Sequence, residues 1–362
     1  MLMERRHQTR WRALWDVGTR GRMTAFTHIP GGAHDHLMDP PRSGWARRLW
    51  HAGLLVTLAV MWGSAFLMVD LSLRDFTPLE STVGRLVVAA LFFTAGCIIR
   101  RKPIERSWRC WGLLAAMALI GNLMPFFLIN WGQQKVESGN AAILMGMVPL
   151  VTAMLAQMFV RGERFHRWKM AGIAIGFAGV LVLFGGPQLS GGEGAMWGAA
   201  AILVATLGYA AGTILADKAS SYHSLPVGFG VMWIASLVSA PIWLAVDGVP
   251  PPHPSWVSVG AVVTLGVFCT AMPTLALIYL VRSAGPTFAG FTNYLVPVIG
   301  VALGIVFLGE PLSWNAVAAL FLIIGGIVIG QIGGRRGRKK RGGEEADPGD
   351  VAAGHAPGRA AR

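Results

Sequence analysis

The chain has 362 residues, of which 54% are hydrophobic and 14% are charged, and its mean hydropathy is +0.53. These values exclude an ordinary soluble globular protein and predict an integral membrane protein. The formal net charge of +13 does not indicate a nucleic-acid partner, because the basic residues lie in short loops and tails. A nucleic-acid-binding protein would cluster them on a folded face among aromatic residues.

The first 49 residues contain no apolar segment long enough to span a membrane or to form the core of a signal peptide. They are rich in Arg, His, Gly and Pro, which predicts a disordered cytoplasmic extension over residues 1–49. His28, His34 and His36 could together bind a metal ion. Because histidines in flexible tails more often bind nothing specific, the sequence predicts no metal site and no cofactor.

Ten apolar runs follow, each close to the roughly 20 residues that a helix needs to cross about 30 Å of hydrocarbon. The predicted helices span residues 50–69, 79–99, 111–131, 140–160, 168–185, 195–215, 226–246, 256–281, 286–308 and 313–332. Backbone polar groups cannot stay unpaired in lipid, so these runs must be helical. The sequence therefore predicts an all-α integral membrane protein with a disordered, basic cytoplasmic tail over residues 333–362.

One segment of the chain occurs twice, at residues 139–163 and 285–310, with a proline in its middle and Gly-Glu at its end. Pro149 and Pro297 are 148 residues apart, and so are the Met-Pro pairs that end at Pro125 and Pro273. A constant offset over most of the chain indicates a duplication. Each copy contains five predicted helices, so the second copy enters the membrane from the opposite side. The result is a 5+5 inverted-topology repeat with copies at residues 50–187 and 195–332.

The positions of Lys and Arg test this topology independently. With the N-terminus inside, the inward segments near the helices carry twenty Lys and Arg residues, and the outward loops carry only Arg74 and Lys135. Because basic residues in short loops favour the cytoplasmic side, both termini are predicted to be cytoplasmic in the inner membrane.

The first predicted helix contains WGSAF at residues 62–66, and the second has Arg85 early in its run, followed by LVVAALFF. Together with the duplicated segment, these motifs resemble the EamA family of the drug/metabolite transporter superfamily. The resemblance covers residues 52–332 and implies a secondary transporter with a cavity between the repeats. It also implies export of small organic metabolites such as amino acids.

The duplicated prolines are predicted hinges or kinks, because proline removes a helical hydrogen bond and frees the carbonyl four residues before it. The alternative is that they only shape the helices for packing. They are Pro125, Pro149, Pro273 and Pro297. The Gly-Glu ends predict a left-handed glycine cap, with the glutamate near the positive end of the next helix.

Arg85 is the one unambiguous charge inside an apolar run. It could bind a substrate carboxylate in a cavity, pair with Glu80, or reach back to the outer interface as an anchor. Glu80 is also the candidate for proton coupling. The predicted substrate-binding residues are Trp62, Arg85, Asn122, Tyr209, Asn293 and Tyr294. Other intramembrane polar candidates include Asn130, Gln157, Thr270 and Tyr279, and interhelical hydrogen bonding would explain any of these side chains equally well.

Glycines four residues apart predict close helix packing within the chain, although one pair could instead serve a dimer. The pairs are Gly172 and Gly176, Gly208 and Gly212, Gly300 and Gly304, and Gly326 and Gly330.

Other classes of function fit less well. Apart from His51 at the start of the first run, the apolar runs contain no histidine, and they contain no nucleophile motif. The sequence therefore predicts no enzyme, and it has no P-loop for a nucleotide-driven pump. A channel-like or lipid-handling membrane protein remains the alternative to a carrier. The predicted partners are a small-molecule solute and the lipid bilayer, with a monomer or homodimer as the assembly.

Overall fold

A computed structural model describes residues 44–103, 107–159, 167–185, 193–248 and 253–344. Its described residues form ten helices long and apolar enough to cross a membrane, as the sequence predicts. These spans are α1 (Gly44–Ser72), α2 (Pro78–Ile99), α3 (Trp108–Gln133), α4 (Ser138–Met158), α5 (Arg167–Phe184), α6 (Gly194–Lys218), α7 (Ser224–Val246), α8 (Trp256–Ala284), α9 (Pro286–Leu308) and α10 (Trp314–Gln331).

Two helices extend beyond the predicted apolar runs. The first begins at Gly44, inside the segment predicted to be a disordered extension, and the last continues to Glu344, inside the predicted tail. Arg and Lys are good helix formers, and cations near a helix C-terminus also interact favourably with the helix dipole. The rest of both predicted segments, including His28, His34 and His36, lies outside the described residues.

The packing of the helices confirms the 5+5 repeat. Helices α2, α4 and α5 each pack against their repeat-related partners α7, α9 and α10. The contact of α1 with α9 is matched by that of α6 with α4, and the contact of α1 with α8 by that of α6 with α3. Each major contact between the copies therefore either joins two equivalent helices or is matched by the contact that exchanging the two copies would produce.

Glycines allow the closest of these contacts. A methyl group added at Gly326 of α10 would collide with the carbonyl oxygen of Gly172 and lie 2.9 Å from the backbone nitrogen of Gly176 in α5. One added at Gly212 of α6 would lie 2.8 Å from the Cα atom of Gly121 in α3. The predicted glycine pairs thus take part in packing within the chain, where small residues let backbones approach.

Each duplicated proline lies at or near an irregularity in its helix. A π-helical turn, Leu119–Leu123, precedes Pro125 in α3, and a matching turn, Val267–Ala271, precedes Pro273 in α8. Helix α4 is interrupted between Met145 and Val148, just before Pro149. Helix α9 is interrupted between Ala289 and Thr292, and Pro297 lies inside the segment Thr292–Leu303 that follows. Such turns accommodate the lost hydrogen bond of a proline and often occur at functional positions.

Candidate functional site

Helix α2 starts with a reciprocal cap that determines where its first polar residues lie. The Thr77 hydroxyl accepts the Glu80 N–H at 3.1 Å, and the Glu80 carboxylate accepts the Thr77 N–H at 2.8 Å. This is the capping box, in which the glutamate satisfies an otherwise unpaired donor. Glu80 therefore does not pair with Arg85, because residues five apart on a helix point to different faces.

Arg85 reaches the interior of the bundle and does not return to the membrane interface. Its Nε donates to the Thr270 hydroxyl at 2.7 Å, and its Nη2 donates to the Cys269 carbonyl at 3.5 Å. Thr270 lies midway along α8, so the guanidinium group is near the middle of the bundle. Arg85 is only 4% exposed, which argues against the predicted alternative of an interfacial anchor.

The Cys269 carbonyl is available to Arg85 because of the proline that follows it. Pro273 has no N–H, so it cannot bond to the carbonyl four residues before it, which belongs to Cys269. The sequence predicts this free acceptor, and the structure shows which donor uses it. A kinked helix thus supplies backbone oxygen to a buried cation, as in the interrupted helices of transporter sites.

Aromatic rings complete the surroundings of the guanidinium group. The Arg85 Cζ atom lies 3.8 Å from the centroid of the Phe126 ring, a close cation–π contact. Tyr209 packs edge-on against the same ring at 6.1 Å between centroids. We call Arg85, Phe126, Tyr209, Cys269 and Thr270 the arginine cluster; it draws on both repeats.

Asn122 and Thr270 are repeat-related residues with the same local role. The Asn122 side chain donates to the Met117 carbonyl at 2.9 Å, and the Thr270 hydroxyl donates to the Leu265 carbonyl at 2.7 Å. Each of these bonds closes the π-helical turn of its own repeat. Asn122 is also one helical turn from Phe126, so it lies on the face of α3 that carries the cluster.

The other predicted substrate-binding residues lie elsewhere. Trp62 is the repeat-related equivalent of Tyr209, 147 residues earlier, and is half-buried in α1. Asn293 and Tyr294 are on α9, where Tyr294 packs against a separate apolar core built largely from α4, α5 and α10. The structure therefore brings Arg85 and Tyr209 together, with Asn122 nearby, and leaves the α9 pair apart from them.

Sequence reasoning missed Phe126 of the arginine cluster and did not select Thr270 from among the polar candidates. Phe126 is one of several phenylalanines in an apolar run, and no sequence signal marks it as the one beneath a cation. Thr270 is a polar candidate in the sequence, but its selection needs the knowledge that α8 faces α2. The sequence signal that could have found Thr270 is its equivalence to Asn122, since each residue lies two positions before the Met-Pro pair of its repeat.

The loops that the charge distribution places outside lie together at one end of the bundle, which we call the predicted outer end. Hydrogen bonds join the two repeats there. Asp75 accepts the Ser255 N–H at 2.9 Å, and the Thr77 hydroxyl donates to Asp247. The hydroxyl and N–H of Ser255 hold the pKa of Asp75 below its usual value.

Glu310 makes a further link between the repeats at this end. Gly309 takes the predicted left-handed cap, with φ of 68°. The Glu310 carboxylate then accepts the Ser138 N–H at 2.6 Å and the Gly139 N–H at 2.8 Å. The prediction that it would approach the next helix is wrong, since it caps α4 of the other repeat. The Gly-Glu pair of the first repeat, at residues 162 and 163, lies outside the described residues.

A cavity of about 1060 Å³ opens at the opposite, predicted inner end. It lies between the loop that joins α2 to α3 and the loop that joins α6 to α7, and Lys102, Trp111, Tyr222 and His223 contribute to its wall. No predicted substrate-binding residue lines this cavity. Arg85, Phe126 and Thr270 of the arginine cluster are each at most 5% exposed, so the cluster is buried in this conformation.

Comparisons with known proteins agree with this architecture. A model of the EamA-like transporter family matches residues 49–185 and again residues 196–330. The fold also resembles that of a solved crystal structure. That chain is 19% identical to this one and superimposes with a TM-score of 0.59, over 80% of this chain and 98% of that one.

Two relatives from Escherichia coli strain K12 cover most of the chain. The uncharacterized inner membrane transporter YedA is 29% identical over 288 residues, which are 78% of this chain and 90% of YedA. A probable amino-acid metabolite efflux pump is 28% identical over 294 residues, which are 77% of this chain and 94% of the pump. The family match covers both repeats, so this chain belongs to the EamA-like transporter family and is a multi-pass membrane transporter of that type.

Proposed function

We propose that this transporter exports small organic metabolites that carry a carboxylate, such as amino acids, from a cytoplasm in which both its termini lie. The similarity to a relative named as a probable amino-acid metabolite efflux pump supports this substrate class. The excess of Lys and Arg in the inward loops supports the orientation. The role of each site residue in transport is part of the same proposal.

The observation that carries the proposal is the state of Arg85. Its guanidinium group is buried and bonded to neutral oxygens, and no carboxylate of the described residues lies within ion-pair distance of it. A buried charge without a counter-charge is costly in a membrane protein, and such residues mark substrate or ion pathways. A substrate carboxylate would supply the missing negative charge and could bind the guanidinium group bidentately.

The other members of the arginine cluster suggest how the rest of the solute is held. Phe126 and Tyr209 offer apolar ring faces beside the cation, which suits a compact, partly apolar side chain. Trp62, Asn293 and Tyr294 remain proposed contacts for a solute that extends towards α1 and α9. Pro125, Pro149, Pro273 and Pro297 remain proposed hinges for alternating access of the two repeats.

Counterflow in proteoliposomes tests both the mechanism and the substrate class. Vesicles loaded with an unlabelled amino acid should concentrate the labelled amino acid transiently and saturably, whereas the same amino acid with its carboxyl group amidated should not exchange. A flux that rises linearly with concentration would instead indicate a channel-like protein. Equal exchange of acid and amide would contradict carboxylate recognition by Arg85.

Thr270→Val should reduce transport by about tenfold, because a charged donor that loses its hydrogen-bond acceptor typically costs about 1.5–3 kcal/mol. Thr270→Ser keeps the hydroxyl and should restore most of the activity. Thr274→Val is the matched control, since among the described residues the Thr274 hydroxyl bonds within its own helix, to the Thr270 carbonyl. Initial efflux rates from cells with equal membrane abundance of each variant provide the measurement; equal losses for Thr270→Val and Thr274→Val would contradict the role of Thr270.

A further inference from the structure

Two carboxylates meet at the predicted outer end of α4, where the repeats touch. Glu310 arrives from the second repeat and accepts the Ser138 and Gly139 N–H groups. Glu137 is the N-cap residue of α4, directly before these two donors, and accepts the Asn140 side-chain amide at 3.1 Å. Two carboxyl groups thus lie at the start of α4, and Glu310 is the one that accepts the backbone N–H groups.

We infer that Glu137 and Glu310 form a latch that closes the predicted outer end of the transporter and takes up one proton as it closes. Glu310 holds the latch closed, because its carboxylate connects the end of α9 to the first turn of α4 through charge-assisted hydrogen bonds. Glu137 is the proton-binding part. The latch rests on the proposed orientation and alternating access, and it concerns how the cycle is controlled by the external pH.

The environment of the pair favours one proton in the closed form. Burial raises the pKa of Glu137, and the neighbouring charge of Glu310 raises it further. Glu310 accepts two backbone N–H groups, whereas Glu137 accepts the Asn140 side-chain amide, so we assign the proton to Glu137. The Ser138 residue is 2% exposed and its hydroxyl has no hydrogen-bond partner among the described residues, which leaves an acceptor for a protonated carboxyl group beside the pair.

Lys135, Asp70 and Arg74 are three other charged groups of the described residues near this end of the bundle. The Lys135 side chain lies along Gly194 at the start of α6, with its Cδ atom 3.5 Å from the position of a methyl group there. Asp70 at the end of α1 pairs with Arg74 at 3.5 Å. Among the described residues, Glu310 is the charged group that raises the pKa of Glu137, so these two carboxyl groups form a pair across the repeats at this position.

The pair is not a consequence of the duplication. At the start of α9, the N-cap residue is Gly285 where α4 has Glu137, and the first helical residue is Pro286 where α4 has Ser138. Gly285 has no side-chain carboxylate and Pro286 has no backbone N–H. The acidic cap and its first backbone donor thus exist at one end of the bundle only, as expected for a device that responds to one side of the membrane.

The sign of the pH effect follows from the pKa. Burial and Glu310 raise the pKa of Glu137 in the closed form, and opening would expose this carboxyl group to water and separate the pair. The closed form therefore binds a proton more tightly, and a fall in the external pH favours closure. A rise in pH ionises Glu137 beside Glu310 and favours opening. Acid outside the cell would therefore return the emptied carrier towards its inward-facing form.

Thiol labelling from outside tests the latch without any transported solute. Ile143 is fully buried beneath the latch and lines a small void beside Glu137 and Glu310, so Ile143→Cys reports opening. A membrane-impermeant thiol reagent is applied to intact cells at about pH 5.5 and about pH 8, values above the ordinary pKa of a glutamate. Labelling of His253→Cys, an exposed position just before α8 at the same end of the bundle, corrects for the reactivity of the thiol itself. The parent chain, with its three buried cysteines, gives the background.

The corrected labelling rate of Ile143→Cys should rise several-fold between the lower and the higher pH. Adding Glu137→Gln should keep the rate low at both pH values, because the neutral amide imitates the protonated acid. Adding Glu310→Ala should raise the rate at both pH values by about tenfold or more, since one hydrogen bond to a charged group is commonly worth that factor. Asp75→Asn, at another outer link, should leave the pH dependence unchanged.

Labelling of Ile143→Cys that does not change with pH would overturn the latch, and so would a pH dependence that survives in Glu137→Gln. Both results are independent of counterflow, so failure of the latch and failure of the proposed transport are distinguishable. A Glu310→Ala chain that does not reach the membrane leaves the Glu137→Gln comparison to decide.

Discussion

Replacing Arg85 by alanine should abolish transport while the protein still reaches the membrane in normal amount. Removing one partner of a buried charge interaction commonly costs about 3 kcal/mol or more, which corresponds to at least about a 100-fold lower transport rate. The folded protein should be at least as stable as before, because the variant also removes a buried cation that has no carboxylate partner among the described residues. Efflux assays and thermal unfolding of the detergent-solubilised protein measure the two effects separately.

Two further variants separate charge from shape. Arg85→Met keeps much of the side-chain volume and should be as inactive as alanine. Arg85→Lys keeps the charge but loses the planar group that stacks on Phe126 and bonds to Thr270 and Cys269 together, so it should retain only a small part of the activity.

Arg74→Ala is the matched control for Arg85, since it removes an exposed cation of an outer loop that pairs only with Asp70 among the described residues. Surface pairs of this kind contribute little. Transport should therefore be nearly unchanged. A large fall in the unfolding temperature of Arg85→Ala would show instead that the arginine holds the helices together, and the substrate-binding role would be lost.

Gly326→Leu should prevent or severely weaken folding, whereas Gly325→Leu, one residue earlier in α10, should have little effect. At Gly326 any side chain meets the backbone of α5 at Gly172 and Gly176, which cannot move aside as a side chain could. Overpacking of this kind typically costs about 1–3 kcal/mol, and a contact with backbone belongs at the upper end. A methyl group added at Gly325 meets no atom of the described residues within 4 Å.

Membrane abundance and the unfolding temperature of the two leucine variants provide the comparison. Both changes add the same apolar side chain to the same membrane helix, so insertion and helix propensity are matched. Equal behaviour of the pair would mean that α5 and α10 do not cross at these glycines.

The sequence by itself determined the number of helices, their near-correct ends, the duplication and the family. These features depend on local or periodic properties: an apolar run of membrane length must become a helix, and an odd number of helices in each copy must invert the second one. The freed Cys269 carbonyl and the left-handed Gly309 are predictable for the same reason, because they follow from the chemistry of Pro273 and of glycine.

Only the tertiary structure decided which residues meet. In a soluble helix the polar face shows the direction of solvent, but in a membrane helix lipid-facing and buried residues are equally apolar, so the sequence does not show which way a side chain points. Arg85 therefore has its partner 185 residues away in Thr270, and not five residues away in Glu80. Glu310 caps a helix 172 residues earlier, and not the next one. Both partners come from the opposite repeat, and their positions follow from how two inverted copies pack on each other.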